Sequence, residues 1–418
     1  MSKAHRLRDV EVRPLPLSDP AETRIPRPDT DGPGFRPALD GEPRRTRLLL
    51  YTQNRPMGGV MGGMERHMEL IARHIDHSRF EVFCVCPDFP TMKPLLDAIG
   101  PHCKDAVALT FNFQHLASLP TFVNLLRRWR IDVAHIHNGY YLGQLSAMFA
   151  ARLAGVRKIY MTEHIAPEKP EPWPVVADRW LMTSWLDGMI CVSQKNLEAR
   201  SKFLYTPRDR TFVVDNGVDT DDFVPIAAPE LASLREKHDV PADAQIVGVV
   251  VRLESDKGVR YLIEAFPQIL AACPRAYLLI VGDGTLRPEL EAQVAALGVR
   301  DRVRFVGFKA DPRPYLGLMD VFVLPVPVGS MSIALLEAMA MRCAVVMTFG
   351  GPGEAVIHDE TGLCAEPKNP RSIAENVTRI LLDPHVQRRL ANAARRHVEE
   401  RFSSRVTAKK LEEIYLRP

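Results

Sequence analysis

The stretch QIVGVVVRLESDKGVRYLIEAFPQILAACPRAYLLIVGDG, residues 245–284, decides the fold. An apolar run, IVGVVV (246–251), ends in a polar loop that holds Arg252 and Lys257. An amphipathic stretch follows at 258–272, and a second apolar run, AYLLIVGD (276–283), closes the unit. Short β-branched runs of this kind are strands buried on both faces, and a helix-length connection between two of them is the crossover of a parallel sheet.

The same alternation extends outward in both directions. Downstream, RVRFVGF (302–308), VFVLPV (321–326) and AVVMTF (344–349) read as strands, with helices at about 286–297 and 332–341. Upstream, RLLLYTQ (47–53), FEVFCVC (80–86), IDVAHIH (131–137), RKIYMTE (157–163), GMICVS (188–193) and TFVVDN (211–216) form an earlier series, with a helical pattern at 64–75. The proline- and alanine-rich VPIAAPE (224–230) separates the two series. The expected fold class is therefore α/β, with two Rossmann-like domains at 46–222 and 223–395. Ligands of such sheets sit beyond the carboxyl ends of the strands, so two facing sheets place a substrate cleft between them. Residues 1–45 contain eight of the 34 prolines and no apolar periodicity, and are expected to be a disordered arm.

At about 150 residues per domain, a chain of 418 has room for two large domains. Apolar residues make up 46% and charged residues 25%, which excludes a disordered, collagen-like or disulfide-scaffold chain. The formal charge of +3 is a near balance and argues against nucleic acid as the main partner. Seven scattered cysteines, none spaced as CxxC, fit buried thiols in a reducing compartment. No apolar run is long enough to span a bilayer, so the expected location is cytoplasmic or peripheral to the inner face of the membrane.

Several motifs carry chemistry. GGVMGGMERH (58–67) follows the first strand and opens a helix, so Gly62 and Gly63 allow close backbone approach to a ligand at a positive helix end. Arg252 and Lys257 place two cations at a strand's carboxyl end, where they suit a diphosphate and can neutralise leaving-group charge as a metal would. Gly282 and Gly284 form a GxG, but Arg287 stands at the third glycine position, which argues against a nicotinamide cofactor. Glu337 lies among apolar neighbours on a helix and needs partners such as ribose hydroxyls. His135 and His137 alternate on one strand and His164 closes another, which points His164 into the cleft. No cysteine or carboxylate completes a metal-ligand spacing with them, and neither Asp29/Asp31 nor Asp219/Asp221 follows a strand of the second series. No metal and no cofactor are expected.

In order and spacing, NGVDTDDF (216–223), VRLESDKG (251–258), LLIVGDGTLRPELE (278–291), VRFVGF (303–308) and ALLEAMAMRCAVVMTFGGPGEAVIHDETGL (334–363) resemble the retaining glycosyltransferases of family 4, as do GGMERH and MTEH in the first half. The resemblance covers about 46–400 and implies the GT-B fold, a nucleotide-diphosphate sugar as donor in the second domain, and a glycan or lipid-linked acceptor in the first. It implies that Arg252 and Lys257 hold the diphosphate, Glu337 takes the ribose hydroxyls, Gly62 or Gly63 approaches the phosphate, and His164 lies by the transferred sugar. It also implies a terminal helix, at 396–418, that crosses back to the first domain. One departure stands out: the family has two glutamates eight positions apart, and Gly329, followed by Ser330, occupies the first position here. Ser330 and Ser332 can supply hydroxyls there but not an anion's charge. The implied activity is hexosyl transfer in polysaccharide or glycoconjugate biosynthesis. The alternatives are a catalytically silent nucleotide-sugar-binding partner subunit and another GT-B enzyme such as a sugar-nucleotide epimerase.

Overall fold

The computed structural model describes residues 44–54, 62–111, 115–138, 145–165, 172–204, 206–326, 332–348 and 355–417. Of the residues singled out above, residues 58–61, Gly329, Ser330, residues 349–354 of the motif at 334–363 and nearly all of the 1–45 arm lie outside them.

The first sheet is built from β1 (Thr46–Thr52), β2 (Phe80–Cys86), β3 (Asp105–Ala108), β4 (Val133–Asn138), β5 (Lys158–Glu163), β6 (Gly188–Cys191) and β7 (Thr211–Val213), in the order β3-β2-β1-β4-β5-β6-β7. Its helices are α1 (Gly63–His74), α2 (Lys93–Ile99), α3 (Leu119–Trp129), α4 (Leu145–Ala154), α5 (Trp173–Trp185) and α6 (Gln194–Phe203). The second sheet contains β8 (Gln245–Val250), β9 (Ala276–Val281), β10 (Val303–Gly307), β11 (Val321–Leu324), β12 (Ala344–Thr348) and β13 (Leu363–Ala365), in the order β10-β9-β8-β11-β12-β13. Around it run α7 (Ala228–Lys237), α8 (Val259–Ala272), α9 (Arg287–Ala296), α10 (Arg313–Leu318), α11 (Ile333–Ala340), α12 (Pro370–Leu382) and α13 (Pro384–Arg401), and α14 (Ser404–Tyr415) ends the chain's helices. Neighbouring strands of both sheets pair parallel.

Because each sheet is covered on both faces, alternate residues of one strand feed different cores. Leu48 and Leu50 of β1 pack with α1, α2 and α14, whereas Leu49 and Tyr51 pack with α3 and α4. Each such side chain contributes about 1.5–3 kcal/mol by leaving water. The strand order reverses between β1 and β4 in one sheet and between β8 and β11 in the other. Crevices open at such switch points beyond the strands' carboxyl ends, and they hold the loops leading to Gly62, His137, Arg252 and α11.

The last two helices divide the terminal amphipathic pattern between the lobes. α13 packs on α11, α12 and β12, the chain turns at Phe402 and Ser403, and α14 lies against α1. There Leu411, Ile414 and Tyr415 are buried in the first lobe's core, and the Tyr415 hydroxyl bonds His135 Nδ1 at 2.6 Å. The outgoing and returning strands of this double crossing touch: Val218 pairs with Ser403, and a Cβ on Gly217 would meet Thr407 Oγ1 at 2.6 Å. Asp219, Asp221 and Asp222 are pinned here by His74, Arg405 and Arg73 respectively.

Candidate active site

Helix α1 brings three features to the cleft within its first five residues. Its N-cap Gly62 is extended, and the Glu65 carboxylate accepts the Gly62 N–H at 2.9 Å. That amide is therefore occupied, and the open donors of the first turn begin at Gly63. A Cβ on Gly63 would lie 3.6 Å from Ile333 Cδ1, an ordinary contact, which places the start of α1 against the start of α11. Packing alone thus does not require glycine at position 63.

Glu337 of α11 is buried at 8% exposure, and burial raises its carboxyl to about 7, with Arg66 of α1 pulling it down and Asp311 pushing it up. It lines a cavity of about 380 Å³ with Arg66, Asp219, Asp222, Asp311 and Arg313. At the head of α11, Ser332 caps the helix, its Oγ accepting the Leu335 N–H at 3.3 Å.

The loop after β8 is held by its neighbours' backbones. Val251 and Leu253 donate N–H groups to Val281 and Asp283, and Leu286 donates back to Leu253. Gly282, at φ +138, and Gly284 pass so close that a Cβ on either would strike the Val251 or Leu253 carbonyl at 1.8 or 2.5 Å. These glycines therefore serve the packing of one turn on the next. The Glu254 carboxylate ties the same turns together by accepting from Thr285 N and Oγ1. On this braced loop Arg252 is exposed, and its guanidinium makes no hydrogen bond or ion pair with the described residues. Lys257 is half-buried against the Asp256 carboxylate at 2.6 Å, just before Gly258 turns left-handed at φ +67 to start α8.

His164 follows β5, buried, its N–H donated to Asn138 O. Its Nε2 lies 3.3 Å from His137 Nδ1, and the His67 ring of α1 stands edge-on to it at 5.1 Å. His67 escaped the sequence reading, because nothing local links the MERH helix to strands β4 and β5. Its only signal was a histidine on the helix face that the apolar pattern turns inward. His135, the other member of the strand pair, is engaged by Thr162 Oγ1 and the Tyr415 hydroxyl. The structure thus brings Gly62, Gly63 and His164 to the first lobe's crevice and Arg252, Lys257, Ser332 and Glu337 to the second's.

Away from the crevices, three of the chain's four tryptophans lie exposed on α5: Trp173 at 79%, Trp180 and Trp185. Leu181 and, from α4, Phe149 and Leu153 are exposed beside them, with the Phe149 and Trp185 rings 6.4 Å apart. Arginines border this surface: Arg127 donates to the Leu153 carbonyl, and Arg152 to the carbonyls of Trp185 and Arg157.

Two facing parallel sheets with crevices at their reversal points and a helix that returns to the first lobe define the GT-B fold. Residues 61–222 match the family model for Glycosyltransferase Family 4, and residues 232–397 that for Glycosyl transferases group 1. An uncharacterized glycosyltransferase of Methanocaldococcus jannaschii is 35% identical over 68% of this chain and 75% of its own, and a glycogen synthase of Mycobacterium tuberculosis is 30% identical over 85% and 91%. The chain belongs to this family of glycosyltransferases. Among solved structures, the Anabaena HepE protein in complex with UDP-glucose shares the fold at a TM-score of 0.74 and 22% identity, over 88% of this chain and 99% of that one.

Proposed function

We propose that the protein is a retaining glycosyltransferase that moves a hexose from a nucleoside-diphosphate sugar to a glycan or lipid-linked acceptor in polysaccharide or glycoconjugate biosynthesis. The observation that carries this reading is Arg252, an exposed cation whose guanidinium has no hydrogen-bond or ion-pair partner among the described residues, on a rigidly braced loop at the switch point of the second sheet. With Lys257 it would neutralise the diphosphate as the glycosidic bond to it breaks, without a divalent ion. Glu337 would accept the ribose hydroxyls, the first turn of α1 from Gly63 would approach the phosphate, and His164 would contact the sugar. Glycine at position 63, where packing does not require it, supports the close approach. Retention is proposed from the family likeness.

By the family likeness Gly329, Ser330 and Ser332 would face the transferred sugar, and the absence of the family's first glutamate suits a hexose that is not held by a carboxylate at that position. The same substitution favours a second reading, a silent nucleotide-sugar-binding subunit. A panel of nucleotide sugars separates the two: transfer from any donor supports the enzyme, and binding without turnover supports the subunit. In an active enzyme, Arg252→Ala or Lys257→Ala each lowers kcat/KM by about 100-fold or more, from about 2.7–4 kcal/mol of lost transition-state stabilisation. A loss below about threefold removes the phosphate assignment.

A peripheral position on an anionic membrane fits the α4–α5 surface. Tryptophan and arginine together suit the headgroup region, where an amphipathic ring and a cation are both solvated. Among the described residues no helix is long and apolar enough to cross a membrane.

A further inference from the structure

Beneath α1, four imidazoles from separate parts of the chain meet, and among the described residues only one has both ring nitrogens partnered. His135 is held by Thr162 and Tyr415. His67, His137 and His164 are all buried, and the Nε2 atoms of His67 and His137 have no hydrogen-bond partner among the described residues. A buried polar group left unpaired costs about 1–3 kcal/mol, so two in one cluster favour a ligand that engages them. One ring nitrogen from each of the three histidines lies within 4.8 Å of the others. We propose that His67, His137 and His164 form a binding site for a single zinc-class divalent ion, and that its occupancy withdraws His164 from the sugar.

The donor set selects the ion. Three neutral nitrogens with no carboxylate suit borderline ions such as Zn²⁺ and offer little to Mg²⁺ or Ca²⁺, which require oxygen. Zinc–nitrogen bonds of about 2.0–2.1 Å in a tetrahedron set the nitrogens about 3.3 Å apart. The widest separation must close by roughly 1.5 Å to reach that tetrahedron, a small turn of the rings. Three ligands leave a fourth position for water. His164, at 8% exposure against 1% and 0% for His67 and His137, is the ring nearest the cleft and marks the way in.

The binding part of this inference stands on geometry alone, whereas the withdrawal of His164 rests on the role proposed for it above. Untagged full-length protein is stripped of metal and titrated with Zn²⁺ against a chromophoric chelator, and with Co²⁺ for its tetrahedral absorption bands. One equivalent bound, with affinity at least tenfold weaker in His67→Gln and in His137→Gln but unchanged in the distant His238→Gln, supports the site. No saturable equivalent below 100 μM Zn²⁺, or binding indifferent to both substitutions, overturns it. Circular dichroism screens the variants for folding, and the Co²⁺ spectrum of the unaltered protein tests the site if neither variant folds. In the donor-panel assay Zn²⁺ inhibits the wild type and loses potency against His67→Gln. Binding without inhibition would refute the withdrawal and, with it, the placement of His164 at the sugar.

Discussion

Glu337→Gln is expected to weaken nucleotide binding and to stabilise the fold, with both effects confined to the pH range in which the carboxylate is charged. The folded group titrates near 7 against an ordinary value of 4.5. The native state therefore holds this proton more tightly than the unfolded chain, and native stability falls as pH rises from about 4.5 to 7. The displacement of about 2.5 units, at 1.36 kcal/mol per unit, amounts to about 3 kcal/mol. Urea denaturation should show Glu337→Gln close to wild type at pH 5 and more stable by up to that amount at pH 8. Binding should move the opposite way. Hydrogen bonds from ribose to a charged acceptor contribute about 1.5–3 kcal/mol, so the variant should bind a nucleoside diphosphate roughly 10- to 150-fold more weakly at pH 8. Wild-type affinity should rise about tenfold between pH 6 and 8 as the ionised fraction grows from about a tenth to nine tenths. The ligand's own phosphate titrates nearby, near about 6, so the readout is the difference between wild type and variant in calorimetric titrations across that range. Arg66, Asp311, Asp219, Asp222 and Arg313 share the cavity and remain in both proteins. Parallel stability profiles for the two proteins would refute the burial argument, and parallel binding profiles would refute the ribose assignment.

Three further outcomes are expected. Tyr415→Phe strands the buried His135 Nδ1 and should cost about 1–3 kcal/mol in chemical denaturation, although Tyr415 and His135 lie 280 residues apart; a loss under half of that would mean the bond adds nothing. Transfer should persist in excess chelator, because Arg252 and Lys257 supply the positive charge, and a requirement for added Mg²⁺ or Mn²⁺ would contradict this. Replacing Trp173 and Trp180 with Asp should abolish co-sedimentation with anionic vesicles while leaving nucleoside-diphosphate binding intact. Equal sedimentation of both proteins, or a wild-type dimer dispersed by the substitutions, would reassign the α5 surface.

The elements visible in the sequence were those with long apolar runs. β3, DAVA, and β13, LCA, escaped because neither edge strand carries a β-branched or aromatic run, whereas the equally short edge strand β7 is visible in TFVV. The pattern at about 385–415 looks continuous, but its apolar stripe serves two different lobes, and only the three-dimensional turn at Phe402 shows where one partner ends. Glu337 was legible because a lone carboxylate among apolar neighbours stands out in one dimension. The glycines of GDG were visible but their reason was not: a turn against a phosphate and a turn against a carbonyl demand the same missing Cβ, and Gly282 answers to the Val251 carbonyl. His67 needed α1 to be folded onto β4 and β5 before its neighbours existed.

The return of α14 to the first lobe also orders events during synthesis. Leu411, Ile414 and Tyr415 complete a core whose other members begin at Leu48, so a ribosome that has finished every strand of the first sheet has made α1 and α2 but not the last part of what covers that face. Domains emerging from the ribosome tend to fold in sequence, but this one must wait with part of an apolar face open while the entire second lobe is translated. A nonsense codon after Phe402 would leave all of the first sheet's strands and α1–α6 encoded and still deprive that lobe of part of its cover. Chaperone dependence should accordingly concentrate on the earlier lobe, and a peptide spanning residues 403–417, supplied in trans, is the minimal reagent for relieving it.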